Sequence, residues 1–241
     1  MNNPGSDTPD IANGSLKRGI VRWAIKQTVF LLIIAAALFF SAGSCDWTSG
    51  WLYWGFIAFV QVITALLLIP RSPGLLVERS QLKEGLKAWD IGLAVFMGYS
   101  SAFLALAAGF ETRYNPPPSE PGIPAFTALV IALFGTLLTL WAMVSNEFFS
   151  GIVRIQQDRG HTVASTGPYQ YVRHPGYAGM LIFTFAAPFI LDSVWAIGVA
   201  VLTLILTIVR TSLEDRTLQE ELDGYADYAQ RVRYRLVPAI W

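Results

Sequence analysis

Charge is in short supply. Only 14% of the 241 residues are Asp, Glu, Lys or Arg, while 54% are hydrophobic. An ordinary soluble domain carries about 25% charged residues. Too few charges remain to wet a globule of this size, so the composition points to a membrane protein. Neither sign is in excess: 17 basic residues balance 17 acidic ones. No global basic field calls for nucleic acid. Cysteine is nearly absent. Cys45 alone excludes an intrachain disulfide framework, a Cys-cluster zinc site and an iron–sulfur cluster. His161 and His174 are the only histidines, which argues against a His-rich metal centre. Aromatics are plentiful, with eight Trp, nine Tyr and fifteen Phe, and they rule out a disordered polymer. Mean hydropathy is +0.47.

Hydrophobic runs of membrane length occupy residues 28–44, 51–69, 91–110 and 125–144. A longer run, 177–209, is broken near Asp192-Ser193. A spanning helix needs about 20 residues, so this run reads as two short helices turned at 191–193. Backbone groups inside lipid must be satisfied within the segment, which makes the runs helices. The expectation is an all-α polytopic membrane bundle of about six transmembrane helices, with a C-terminal helical segment completing a site. Five spans follow if the last run inserts only partway.

Six spans place residues 1–27, 70–90, 145–176 and 210–241 on one side. Sixteen of the seventeen Lys and Arg fall there, and Arg113 alone falls on the other. Positive residues collect on the cytoplasmic side, so both termini are expected in the cytoplasm, of the inner membrane if the source is bacterial. Residues 1–27 read as an N-terminal tail, with 1–14 irregular. Residues 28–149 read as a four-span scaffold and 150–241 as the functional core. A signal peptide ending at Ala42-Gly43-Ser44-Cys45 competes for the first run, but five further apolar runs follow it. Asn115-Pro116-Pro117-Pro118 makes a stiff outer link.

The polar residues concentrate in two stretches of that basic side. The first, 145–176, holds both histidines. Gly167-Pro168-Tyr169 signals a turn. Pro175 stops any helix before it, because the residue preceding proline disfavours the helical region. Arg173 and His174 therefore stand at the mouth of a span. A guanidinium there also suits lipid phosphates. The second stretch, 210–241, sets Arg210 and Glu214 four apart on one helix face, followed by Asp215. Ionisable groups where an apolar span meets the interface are functional candidates. Leu218, Leu222, Tyr225, Ala229 and Val232 form an apolar stripe for the headgroups or the span ends, with Gly224 bending or interrupting it.

These two stretches together resemble the isoprenylcysteine carboxyl methyltransferase family of integral membrane methyltransferases. The resemblance rests on Gln156, His161-Thr162-Val163-Ala164, Gly167-Pro168-Tyr169, the string Arg173-His174-Pro175-Gly176-Tyr177-Ala178-Gly179, and Arg210 ahead of Glu214-Asp215. It covers about 90 residues, 150–241. It implies S-adenosyl-L-methionine as cofactor, contacted by Gln156, His161, Thr162, Val163, Ala164, Tyr169, Arg173, His174, Pro175, Gly176, Tyr177 and Glu214. Glu214 suits the cofactor ammonium or ribose hydroxyls. Tyr169 and Tyr177 suit the adenine or the sulfonium. By the same resemblance Arg210 is the substrate-side residue, and Arg210, Glu214 and His174 carry the catalytic roles. The implied acceptor is a lipophilic small molecule or prenylated substrate with a carboxylate, which a guanidinium binds bidentately. Membrane lipids are the other partner. An amine acceptor would need Glu214 or His174 as a base. The family often has Glu where this chain has Asp215. Two other readings remain. Membrane sterol reductases, which bind NADPH, share a similar Arg-His-Pro-x-Tyr string and C-terminal ending. A non-enzymatic membrane protein could retain the fold.

Overall fold

The computed structural model describes residues 8–80, 85–118 and 120–241. Among these described residues nine helices run in order: α1 (Thr8–Ala42), α2 (Thr48–Arg71), α3 (Pro73–Ser80), α4 (Ala88–Gly98), α5 (Ser100–Tyr114), α6 (Ile123–Val144), α7 (Pro175–Ile190), α8 (Val194–Glu221) and α9 (Tyr225–Arg231). Short 3-10 turns occupy Gln157–Arg159 and Gly167–Gln170. No strand occurs among the described residues. The chain is a polytopic helical membrane bundle.

Among the described residues four helices are long and apolar enough to cross a membrane: Leu16–Ala42 within α1, then α2, α6 and α8. α4 and α5, bent by 46° at the break around Tyr99, are together long and apolar enough for a fifth. The sixth expected span, α7, has only 16 residues. At 1.5 Å per residue it is about 24 Å long, short of the ~30 Å hydrocarbon core. Proline explains both ends. Pro175 opens the helix and Pro188 sits in its last turn. The α7–α8 turn still reaches the far side, because Glu111 near the end of α5 accepts hydrogen bonds from Ser193 Oγ (2.6 Å) and Trp195 N (2.9 Å). Among the described residues the count is thus four spans, or five with the bent pair, against the six expected.

Two sequence expectations change. The tail at 1–14 lies outside the described residues for 1–7, but Thr8 onward is already helix α1. The helix after the 191–193 turn is not short. α8 runs 28 residues to Glu221, so Arg210, Glu214 and Asp215 ride on one unbroken helix emerging from the bundle. Gly224, at φ 79, then interrupts the helix as expected.

Small residues hold the bundle together. Without a hydrophobic drive between helices in lipid, close backbone approach supplies the packing. Ala102, Ala105, Ala108, Ala128, Ala132, Ala186, Ala187, Ala196 and Ala200 line the mid-bundle core. A close glycine crossing joins α6 to α7. A Cβ on Gly135 would sit 2.6 Å from Gly179 O and 2.8 Å from Ile182 Cβ, and one on Gly179 would strike Gly135 O and Thr139 Oγ1. This crossing sets where α7 starts, and hence where His174 and Tyr177 stand. Gly179→Ala is expected to push α7 away, costing about 1–3 kcal/mol by overpacking. The lowered thermal midpoint of the purified protein in detergent measures it; an unchanged midpoint contradicts the tight crossing.

Candidate active site

A cavity of about 780 Å³ of empty space opens at the basic end of the bundle. Residues 146–154, 161–164, the Tyr169–Tyr177 region and the end of α8 with the start of α9 wall it. The two polar stretches of the sequence thus meet in one place.

Asp215 makes them meet. It is fully buried on α8, and its carboxylate collects donors from four chain segments. Arg173 binds it bidentately, Nε to Oδ1 at 2.7 Å and Nη2 to Oδ2 at 2.8 Å. Arg235 Nε, Tyr225 Oη and Gln219 Nε2 donate at 3.0 Å each. His174 Nε2 lies 3.3 Å from Oδ1. An ionised carboxylate only accepts, so His174 carries its proton on Nε2 toward Asp215 and turns Nδ1 elsewhere. Arg173 extends the lock. Its Nη1 donates to Val232 O (2.8 Å) and Arg233 O (2.9 Å). The backbones pair as well: Arg173 N donates to Tyr234 O and His174 N to Arg235 O, both at 2.9 Å. Arg173 is therefore a buried clamp on the C-terminal tail as well as part of the cavity wall, not a side chain reaching for lipid phosphates.

Arg210 is held too. Asp90, fully buried in the first turn of α4, takes Arg210 Nε on Oδ1 at 2.6 Å and Nη2 on Oδ2 at 3.0 Å. Nη2 also donates to Gly151 O at 2.8 Å. Asp90 Oδ2 accepts Val153 N at 2.6 Å, tying the loop to the same carboxylate. The bidentate edge that the sequence offers to a substrate carboxylate is thus occupied by Asp90. Nη1 is left with a weak contact to Met97 Sδ at 3.9 Å. The Arg210 guanidinium also lies 5.4 Å from the Tyr177 ring centroid.

Arg154 repeats the pattern. Buried Glu78 on α3 accepts from its Nε (3.1 Å) and Nη2 (2.6 Å), and Asp158 accepts from Nη1 (2.9 Å). Glu214 differs from all of these. It is the one acidic residue in the cavity wall. Tyr177 Oη donates to it at 2.5 Å, and no cation lies within ion-pair distance among the described residues. Glu214 does not bond directly to Arg210, despite their shared helix face.

His161 through Ala164, Tyr169, Arg173, His174, Gly176, Tyr177, Arg210 and Glu214 all line the cavity. Gln156 and Pro175 lie behind it. Gln156 is 1% exposed. Its Nε2 donates to Phe148 O at 2.7 Å, its Oε1 accepts from Arg159, and its N–H donates to His161 Nδ1 at 3.2 Å. It shapes the loop instead of facing the cavity, as does buried Pro175 at the start of α7. The apolar stripe on α8 and α9 has a second use. Leu218, Leu222, Tyr225 and Tyr228 wall the cavity, with Ala229 and Val232 packed behind. Tyr228 Oη donates to Tyr169 O at 2.7 Å. Burial raises the pKa of Tyr169, Tyr225 and Tyr228, so all three remain protonated donors.

The wall also contains residues that the sequence reading passed over: Asn146, Phe148 and Phe149 from the loop, and the buried anions Asp90 and Glu78 behind it. Asp90 carries a legible signal, a lone carboxylate at the edge of an apolar span. Glu78 carries none beyond its charge.

Residues 128–220 match the model of the isoprenylcysteine carboxyl methyltransferase family. Over this segment, about two fifths of the chain, the protein is similar to that family. Protein-S-isoprenylcysteine O-methyltransferase B of Arabidopsis thaliana is 29% identical over 107 residues, 43% of this chain and 54% of that protein. The Mus musculus protein-S-isoprenylcysteine O-methyltransferase is 29% identical over 114 residues, 44% of this chain and 38% of its own length. A probable protein-S-isoprenylcysteine O-methyltransferase of Oryza sativa subsp. japonica is 27% identical over 137 residues, 51% of this chain and 65% of that protein. The matched stretches thus span from about a third to two thirds of these relatives. The family segment begins on α6, earlier than the expected 150, and stops at Glu220, short of the tail. It includes the α6–α7 glycine crossing, whereas Asp90, Glu78 and Arg235 lie outside it.

Two outcomes are expected. Asp215→Ala strands Arg173 and Arg235 without their anion, a loss of about 3–5 kcal/mol for a broken buried pair. Limited proteolysis then cuts within 222–241 first; an unchanged digest contradicts the lock. His161 gives a pH signature. Burial, reinforced by Arg154 and Arg159, lowers its pKa from 6.5 to about 4. The folded state keeps it neutral while the unfolded chain protonates it near 6.5. Its contribution is complete above pH 6.5 and lost as pH falls toward 4. His161→Gln should flatten the thermal midpoint across that window, and an unaltered slope contradicts the assignment.

Proposed function

We propose that the protein is an S-adenosylmethionine-dependent methyltransferase acting on a lipophilic carboxylate of isoprenylcysteine type at the cytoplasmic membrane face. One observation carries the reading: Glu214 is an uncompensated carboxylate in a cavity whose other charges are already paired. A cationic ligand group completes it at no cost of breaking an existing pair. The cofactor ammonium, or hydroxyls of the ribose, meet that requirement. The remaining wall fits the same molecule. Tyr169, Tyr225 and Tyr228 in the wall offer flat apolar surface and faces for a sulfonium. The relatives' names support an isoprenylcysteine acceptor. The collection of sixteen basic residues on the site's side supports the cytoplasmic face.

When bound, the cofactor supplies an electrophilic methyl on sulfur. The chain's own work is binding and alignment. A carboxylate nucleophile carries its charge already, so no side chain need take a proton. The gain comes from in-line positioning and from exclusion of water around opposite charges. Arg210 serves as a fixed cation at the wall, with Asp90 preventing its fork from swinging. His174 is positioned by Asp215, and its Nδ1 is the basic atom available should the acceptor be an amine.

Calorimetry on the purified protein in detergent tests this directly. S-adenosylmethionine should bind and NADPH should not; the reverse result establishes the reductase reading, and binding of neither favours a non-enzymatic protein. Glu214→Gln should weaken cofactor binding about 10- to 100-fold, the worth of one charged hydrogen bond. Unchanged affinity removes Glu214 from the cofactor site.

A further inference from the structure

Six arginines surround or flank the cavity, and four have anions. Arg154 has Glu78 and Asp158, Arg173 and Arg235 share Asp215, and Arg210 has Asp90. Arg159, over the Phe148 ring, spends its fork on Gln156 Oε1 and Glu147 O. The sixth is Arg79, in the last turn of α3. Among the described residues it makes no ion pair and no hydrogen bond. Its guanidinium rests over the ring of Phe149, 5.5 Å from the centroid. Phe149 is a cavity wall, and its ring edge fills the space where a Cβ of Gly176 would stand, at 2.6 Å. Arg79 is therefore one aromatic ring away from the Gly176-Tyr177 start of α7. Protein on its inner flank desolvates it and lowers its pKa, Tyr177 raises it and Arg210 lowers it. Its charge is thus felt at both of those residues.

An acceptor carboxylate needs a cation that is not already spent. Arg210 does not offer its bidentate edge, because Asp90 occupies it. Arg79 has no anion or hydrogen-bond acceptor among the described residues, and it stands on the short helix that follows span α2, on the side where basic residues collect. Its companions on α3 fit a fixed platform: Leu75 and Leu76 are buried in the core beside Trp23 and Leu68, while Arg79 is exposed. Stacking on Phe149 limits the rotation of the guanidinium, so less freedom is lost on gripping a planar anion.

We infer that Arg79 is the acceptor-binding residue of this site, gripping the carboxylate of the lipophilic substrate and delivering it past Phe149 toward the Nη1 edge of Arg210. The inference rests on the carboxylate-acceptor reading above, but it assigns a residue outside the family segment. It also makes α3, rather than α8 alone, the determinant of acidic over neutral acceptors.

The test compares binding of an N-acylated S-farnesyl cysteine with its carboxamide, which has the same tail and no charge. Wild type, Arg79→Met and Arg79→Lys are measured in phospholipid-free detergent and again in phosphatidylcholine nanodiscs. Wild type should prefer the acid about tenfold or more, the worth of a charge-assisted hydrogen bond. Arg79→Met should erase that preference while leaving S-adenosylmethionine and carboxamide affinities unchanged. Arg79→Lys should restore part of it. Equal acid and amide binding by wild type overturns the assignment. So does a preference that survives Arg79→Met, or an equal loss for both ligands. A defect seen in nanodiscs but absent in detergent also overturns it, and identifies a lipid phosphate as the occupant. Acid preference lost in Arg79→Met, but with no methyl transfer by wild type, upholds the binding role and refutes the methyltransferase reading separately.

Discussion

A carboxylate removed from water must be ringed by donors, and Asp215 meets that demand by gathering the rest of the site. Its six polar contacts come from α8 itself, α9, the tail and the Arg173-His174 turn. A charge buried this completely is costly unless paired with good geometry. Here the bidentate Arg173 and the additional Arg235 provide it. The tail cannot leave without parting Arg235 from Asp215 and taking two carbonyl acceptors from Arg173, and the turn cannot shift without dragging α7. One side chain thereby fixes the distance between the histidine turn and Glu214.

The same logic runs outward into the scaffold. Asp90 on α4 and Glu78 on α3 are buried acids outside the family segment, and each neutralises an arginine at the cavity. Asp90 also takes a backbone donor from the loop, so α4, α8 and residues 151–153 share one anchor. Among the described residues Glu214 is then the wall's anion without an ion pair, and Arg79 is a cation beside the cavity with neither an anion nor a hydrogen-bond acceptor. A zwitterionic donor and an acidic acceptor are the ligands that such an arrangement accommodates with least rearrangement.

Much of this was legible in the sequence, for physical reasons that differ by residue. Apolar length gave the long helices, because lipid forces local hydrogen bonding. Asp192-Ser193 gave the turn before α8, since a polar pair interrupts an apolar run. The meeting of 145–176 with 210–241 was legible because both fall on the side where basic residues collect. The partners of the arginines were not. Arg173 and Arg210 looked like groups reaching for lipid or substrate, whereas tertiary contact supplies their anions from up to 120 positions away in the chain. The short α7 was legible in the broken 177–209 run, with Pro175 and Pro188 at its ends, whereas the length of α8 was not, because its polar C-terminal half carries no apolar signal. Gln156 belonged to the motif but serves the loop, a distinction that spacing alone does not make.

The central claim is that both polar stretches form a single ligand-binding cup. Hydrogen–deuterium exchange on the purified protein, with and without S-adenosylmethionine, addresses it directly. Protection should rise together in 146–177 and 210–236 and leave the outer ends of α5 and α6 unaltered. Protection confined to one stretch, or centred elsewhere in the bundle, contradicts the account.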